Sequence, residues 1–282
     1  MPRQQSFPWP SVSVPRPPCN SVLYGVLVDP YPYREANRVA FVNLYDKAGH
    51  PQGDIYFTMA QVDELRGAKS VGEVIAQRDV DMTSTDAELP QSTKVLQITG
   101  NGFEFLGAPP MLGRTFAASE APEGSAPPPV AVISYLFWKT HFASSPAVLG
   151  KILELDHQQY TVIGVTGPRF TWHDSEVYVP MPGSVEPKTR MQTLIRLRPG
   201  ASLATVTGEM ESLVQQFGRA NPNLLPHEVF IVKVESLNDS LLGEFKGTLF
   251  LLFVAMALLL LIGCGNVSIQ RAALLIRSSV SL

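Results

Sequence analysis

The sequence predicts an α+β fold in which two β-α-β-type units, 38–99 and 191–234, flank a β-rich middle, with one transmembrane helix after them. Two patterns lead there. Strand-like and helix-like periodicities alternate on both sides of a proline-bordered central stretch. Near the end, Leu249 to Ile262 reads LFLLFVAMALLLLI, with no polar atom in any side chain.

Each unit can be justified in chain order. Residues 1–30 read as a proline-rich leader and the stub of a lost membrane helix; MPRQQSFPWPSVSVPRPP holds six prolines, which block both helix and sheet. Arg38–Tyr45 (RVAFVNLY) reads as the first strand, turned by Asp46-Lys-Ala-Gly49. Thr58 caps a helix over 59–68, and Gln61 completes a capping box. Glu73–Val80 and Thr93–Thr99 read as strands, with the polar TSTDAELPQS as the loop between them, and Asn101–Leu106 reads as one helical turn.

In the middle, Val130–Ile133 is a short strand and Ser134 caps a helix to His141 or Phe142. Lys151–Asp156 and Tyr160–Val165 form a hairpin across His157-Gln-Gln159, and Glu176–Val179 is a further strand. The second unit opens with the strand Met191–Arg198. Ser202 caps a helix over 203–218 whose Leu203, Val206, Met210, Leu213, Val214 and Phe217 form an apolar stripe, and Glu228–Val234 returns as a strand. Leu237–Lys246 then leads toward the apolar run as a stalk.

The run itself comprises Leu249, Phe250, Leu251, Leu252, Phe253, Val254, Ala255, Met256, Ala257, Leu258, Leu259, Leu260, Leu261 and Ile262. It lies inside Gly247–Gln270, 24 residues without a charge. Such a helix is about 36 Å long against a hydrocarbon core of about 30 Å. A buried core helix would carry a polar stripe at period 3.6, and this run has none. Its Leu, Ile, Phe and Val residues contribute about −3 to −7 kcal/mol to insertion. Arg271 and Arg277 on the far side orient the C-terminal tail to the cytoplasm and the large domain outside.

Composition excludes some classes. Net charge is −3, with 22 basic and 25 acidic residues interspersed, so there is no basic stripe for nucleic acid. Cys19 and Cys264 lie at opposite ends of the chain and do not suggest a pair. Gly100-Asn-Gly-Phe-Glu-Phe-Leu-Gly107 fails the dinucleotide-binding spacing, and no nucleophile elbow occurs. His173-Asp174-Ser175 has the residue types of a triad, but adjacent residues cannot face one another as a triad requires, so it reads as a polar loop. The histidines at 50, 141, 157, 173 and 227 lack metal-ligand spacing, and Asp79, Asp81, Asp86 and Glu88 read as a solvated acidic face. No catalytic residue, metal or cofactor is expected. Two rival readings remain open: a membrane enzyme anchored by its tail, with a site gathered from scattered polar residues, and a protein-interaction or chaperone-like module.

Several segments, in order, carry a family resemblance. They are Phe105-Leu-Gly-Ala-Pro-Pro-Met-Leu-Gly-Arg-Thr-Phe116, Val130-Ala-Val-Ile-Ser-Tyr-Leu-Phe-Trp138, Val148-Leu-Gly-Lys151, Tyr160-Thr-Val-Ile-Gly-Val165, Val177-Tyr-Val-Pro180, Arg196-Leu-Arg-Pro-Gly200 and the apolar helix ending in Gly263-Cys-Gly-Asn-Val267. Together they resemble the MacB-like periplasmic core domain of ABC transporter permeases, in the FtsX-related superfamily, over about residues 21–267. The resemblance implies a porter-like part in two halves, 31–104 and 188–238, around an inserted β-rich subdomain, 105–187, then a stalk and transmembrane helix, 239–271, and a short cytoplasmic tail, 272–282. It also implies a non-enzymatic role at the bacterial cytoplasmic membrane, in contact with membrane lipid. A separate ABC-type ATPase subunit and a second permease copy would be its partners. The family has a membrane helix before the segment matching Ser21–Val28 and further helices after Asn266, so the proline-rich leader and the end at Leu282 predict a copy truncated at both ends.

Overall fold

The structure is a computed structural model that describes residues 33–262 apart from 47, 49, 55, 86–89, 122–125, 183–188, 221–230 and 238–250. The leader, the stalk and the cytoplasmic tail of the sequence reading lie outside the described residues.

Strands β1 (Val39–Tyr45), β4 (Val71–Ser84), β11 (Met191–Leu197) and β12 (Ile231–Ser236) lie side by side in the order β12-β1-β11-β4, all antiparallel to their neighbours. Helices α1 (Met59–Arg66) and α4 (Leu203–Ala220) cover one face. Alternation along the strands decides which residues meet them. Ala40, Val42 and Leu44 of β1, Val74 and Ala76 of β4, Ile195 and Leu197 of β11, and Val232 and Val234 of β12 pack under Val62 and Leu65 of α1 and Val206, Met210, Val214 and Phe217 of α4. Leu203, expected in this stripe, is instead exposed, at the first position of the helix. Both caps follow the sequence reading: Thr58 and Gln61 form the capping box of α1, and the Ser202 hydroxyl accepts the Thr205 N–H at the start of α4.

The alternate residues of these strands face the other way. Val39, Phe41, Ile75 and Leu194 form a second core with Phe103, Phe105 and Leu106 of the short helix α2 (Gly102–Leu106), and with Tyr33, Phe170, Trp172 and Tyr178. Strands β1, β11 and β4 are therefore buried on both faces over much of their length, whereas Ile231 and Lys233 leave the second face of β12 exposed.

Strand β4 is longer than its sequence pattern indicates. Val71 to Gln77 pair with β11, and Gln77 to Ser84 pair with β5 (Gln91–Ile98). The sequence pattern ends the strand at Val80 and gives Thr83 and Ser84 to the following loop, but pairing with β5 carries it to Ser84. From β5 the pairing continues to β10 (Val177–Pro180), β7 (Val130–Ile133), β9 (Gln158–Thr166) and β8 (Ile152–Leu155), and β8 returns to β4 at Ser84–Leu155. These six strands close into a ring, which removes their free edges. The ring is filled by Met82, Val95, Ala131, Ile133, Leu153, Leu155, Val162 and Val177, with Phe137 and Trp138 of α3 (Tyr135–His141) packed against the same cluster.

Shorter features were not anticipated by pattern alone. Strands β2 (Pro51–Asp54), β3 (Tyr56–Phe57) and β6 (Pro110–Gly113) are too short to show a period. The β8–β9 hairpin turns at Asp156-His157, both with positive φ, and not across His157-Gln-Gln159. At Gly113 (φ +67°, in the left-handed region) a Cβ would stand 2.2 Å from the Ile163 carbonyl oxygen, so β6 can lie against β9 only with glycine there.

One carboxylate joins α4 to the loop entering β4. Glu209 accepts the Lys69 N–H at 2.7 Å, the Ser70 N–H at 2.9 Å and the Ser70 hydroxyl. Partial burial pushes its pKa up, but the Ser70 hydroxyl and the two N–H groups outweigh this and leave it below the ordinary glutamate value. A folded-state pKa below the unfolded one gives stability that is full above the unfolded value and lost as pH falls through the folded one. Glu209→Gln is expected to lower unfolding stability by about 1 kcal/mol near pH 7. The deficit should shrink as pH falls through the carboxylate range, read by denaturant unfolding at several pH values. A deficit independent of pH would contradict the assignment.

Candidate functional site

The described chain enters and leaves the fold at one corner. Residues 33–38 lead into β1, whose Ala40 stands opposite Ser236 at the end of β12. Tyr33 and Leu237, at either end of this path, are buried in the same cluster.

Arg196 of β11 organises that corner. It is 2% exposed. Its Nε meets Glu73 Oε2 at 3.2 Å, its Nη1 donates to the Arg34 carbonyl at 2.5 Å, and its Nη2 donates to the Phe105 carbonyl. The guanidinium also lies 4.5 Å from the Phe105 ring centroid, a cation–π distance. Around it, Arg34 contacts both Glu73 carboxylate oxygens at 2.7 Å, and the Arg34 N–H donates to the Leu106 carbonyl at 2.9 Å. Gly107 (φ +66) lets α2 end under this segment; a Cβ there would stand 2.5 Å from Arg34 Cβ. Burial lowers the Arg196 pKa, opposed by Glu73 and Glu35. One planar side chain thus fastens the incoming segment, α2 and the start of β4 to the middle of the sheet.

A second polar constellation lies where β4 passes from the helix-covered sheet into the ring. Gln77 is fully buried. Its Oε1 accepts the Trp172 indole N–H at 2.7 Å, and its Nε2 lies 2.8 Å from Gln192 Oε1 and 2.6 Å from His173 Nε2. His173 Nδ1 is 3.1 Å from Asp79 Oδ2. His173 and Asp174 both have positive φ, 56° and 49°, an uncommon conformation outside glycine. The Tyr178 hydroxyl donates to the Trp172 carbonyl at 3.0 Å and Tyr33 meets the Trp172 ring edge-on at 5.0 Å. Beside this network Asp79, Asp81, Lys94 and His173 line a cleft of about 270 Å³.

The sequence-predicted residues fall as follows. His173-Asp174-Ser175 forms no triad; His173 pairs with residues on β4, and the Ser175 hydroxyl faces only the His173 carbonyl, at 3.4 Å. Asp86 and Glu88 lie outside the described residues, so only Asp79 and Asp81 of the acidic cluster are placed. No group of three metal-ligating side chains occurs among the described residues. Of the apolar run, residues 251–262 form a helix and every one of them is exposed, the larger side chains from 42% at Val254 to 71% at Leu260. Leu249 and Phe250 lie outside the described residues. Among the described residues, no helix is long and apolar enough to cross a membrane.

Neither Arg196 nor Gln77 was singled out from sequence. The signal was present: each is a polar residue inside a strand whose neighbours are apolar on both faces (Leu194-Ile195 and Leu197; Ile75-Ala76). A strand buried on both sides holds such a residue only when its polar atoms are satisfied.

The described residues thus form a two-core α+β domain whose chain enters and leaves at one corner. The MacB-like periplasmic core domain model matches residues 21–213, and the chain belongs to that family. Its fold is similar to that of the periplasmic region of MacB from Actinobacillus actinomycetemcomitans, at 12% identity and a TM-score of 0.54, covering 75% of this chain and 94% of that one. It is also similar to the extracellular domain of the noncanonic ABC-type transporter YknZ from Gram-positive bacteria, at 19% identity and a TM-score of 0.52, covering 69% and 98%. A domain assigned to a permease protein of Porphyromonas gingivalis matches at 14% identity and a TM-score of 0.54, covering 73% and 92%. No curated protein sequence matches the chain.

Arg196→Met keeps the length and apolar stem of the side chain but leaves the Arg34 and Phe105 carbonyls without their donor. It is expected to cost about 2–4 kcal/mol in denaturant unfolding of the full chain. A loss under about 0.5 kcal/mol, the level of an ordinary surface change, would show that Arg196 does not hold the corner.

Proposed function

We propose that this chain is the non-catalytic extracytoplasmic domain of a MacB/FtsX-type ABC transporter permease, held at the outer side of the bacterial cytoplasmic membrane. The single observation that carries this reading is the corner at Arg196. Both ends of the described domain leave the fold there, and an apolar helix, 251–262, whose every residue is exposed follows in sequence. Apolar side chains exposed along a whole helix require a covering, and with the charge-free stretch Gly247–Gln270 around them the covering is lipid.

In this reading the porter-like part is built from two split β-α-β units, and β4 connects it to the ring of strands. ATP hydrolysis belongs to a separate ATPase subunit, and a second permease copy completes the transporter. Movement of the membrane helices reaches the domain through the two chain ends at the Arg196 corner and is converted there into substrate export or extraction. Family membership supports the transporter assignment, and the tethering geometry supports the direction of coupling.

Replacing Leu252 and Leu259 together by Arg places two charges near the middle of the run. Each is expected to cost about 2.5–3.5 kcal/mol of insertion. Fractionation should move the full-length double variant from the membrane to the soluble pool while its thermal unfolding stays cooperative. Undiminished membrane retention would contradict a lipid-embedded run.

A further inference from the structure

The Gln77 constellation contains a chemical asymmetry that goes beyond any transport role. An indole N–H can only donate, so Trp172 Nε1, 2.7 Å from Gln77 Oε1, fixes which way the buried Gln77 amide points. Its NH2 end then faces Gln192 Oε1 at 2.8 Å and His173 Nε2 at 2.6 Å. Both amide hydrogens are used. A ring nitrogen that faces a donor must accept, so His173 Nε2 carries no proton. The ring proton sits on Nδ1 and is donated to Asp79 Oδ2 at 3.1 Å. The contacts therefore select the neutral imidazole with its hydrogen on Nδ1.

A second ring proton has one place to go, which is Nε2. There it would point at the Gln77 NH2 group across 2.6 Å. Turning the amide over does not help, because the NH2 end would then meet the Trp172 N–H. Gln77 is fully buried, so no solvent is at hand to satisfy the displaced donor. The charged groups around the ring divide. Asp79 and Asp81 of β4 and Asp174 of the same turn attract an imidazolium, and Lys94 of β5 repels it. Tyr178 of β10 stays neutral, its pKa raised by burial. Asp79, largely exposed, holds the charged ring at the rim of the cleft and does nothing to relieve the clash inside.

The ring sits on a turn with two consecutive left-handed residues, His173 and Asp174. That turn is held down by the contacts of Trp172 and His173 with Gln77 and of the Trp172 carbonyl with Tyr178. Gln77 belongs to the strand shared by both cores, Gln192 to β11 of the helix-covered sheet, and His173 and Trp172 to the segment joining β9 and β10 of the ring. Trp172 in turn packs on Tyr33, where the chain enters.

We propose that His173 is a proton-operated latch between the ring of strands and the helix-covered sheet. The neutral ring closes it. Protonation drives the imidazole off Gln77 toward Asp79 and releases the 171–175 turn, together with the packing of Trp172 on Tyr33. The contact with Gln77 exists only while the His173 ring is neutral, and it is lost when Nε2 takes a proton. Imidazole is the side chain that ordinarily changes charge between pH 5 and 8, a range that an extracytoplasmic surface meets.

The test uses the detergent-solubilised full chain and has two readouts. Side-chain nitrogen NMR of histidine-labelled protein at pH 8 should find His173 as the neutral form protonated on Nδ1. Amide hydrogen exchange over 171–175, corrected for its intrinsic pH dependence, should rise about tenfold between pH 8 and about pH 5, the factor carried by one lost hydrogen bond. His173→Gln offers Gln77 an acceptor that does not titrate, and it should flatten that rise. A ring protonated on Nε2 at pH 8 would overturn the proposal without recourse to any variant. So would Nδ1 protonation with no rise in exchange, or an equal rise in His173→Gln.

Discussion

The fold depends on one buried guanidinium. Arg196 satisfies carbonyls on two different segments and a carboxylate on a third strand while its face rests on Phe105. Only a planar, multidentate donor can do this from inside a sheet; an ammonium would offer a single point of charge and no face to stack. Fixing Arg34 fixes Tyr33, and Tyr33 packs edge-on against Trp172 and Phe170. Trp172 in turn orients Gln77. A continuous set of contacts therefore runs from the corner where the chain enters to the place where the two cores meet.

That meeting place is set by β4. A fourteen-residue strand that pairs first with β11 and then with β5 belongs to both cores. Neither core can rotate freely against the other without bending it. The residue at the change of partner is Gln77, paired with Gln192 on one side and Ile98 on the other. A buried polar network at such a point holds one arrangement when all its hydrogen bonds are made and loses that preference when one is broken.

Much of the helix-covered sheet was legible in the sequence, because its signals are local. The α4 stripe, the Thr58 capping box and the Ser134 cap depend on residues within a few positions of one another. The strands of the ring were legible one by one, at 93–99, 130–133, 151–156, 160–165 and 176–179, but the pairing that closes them was not. The second half of β4 exposes Asp79 and Asp81, and its identity as strand comes from partners that lie elsewhere in the chain. Strands β2, β3 and β6 are two to four residues long, too short for alternation to show. The candidate sites were hidden for the same reason. Gln77 and His173 are 96 positions apart, and Arg196 and Phe105 are 91. A polar residue amid apolar neighbours announces that a partner exists and gives no indication of which. Family resemblance, carried by ordered short motifs such as Val130–Trp138, reached further than periodicity, and the match over residues 21–213 agrees with it.

Tyr33 and Leu237, the two ends of the described domain, lie in one cluster, and β4 joins the helix-covered sheet to the ring of strands. Lys139, exposed on α3 beside the ring, reports most directly on where the ring lies. With Cys19 and Cys264 replaced by Ser, a cysteine introduced by Lys139→Cys can be treated with a membrane-impermeant maleimide in intact spheroplasts. Full labelling without lysis is the result expected of an extracytoplasmic domain. Labelling that appears only after the cells are broken would place the domain on the cytoplasmic side and contradict the transporter reading.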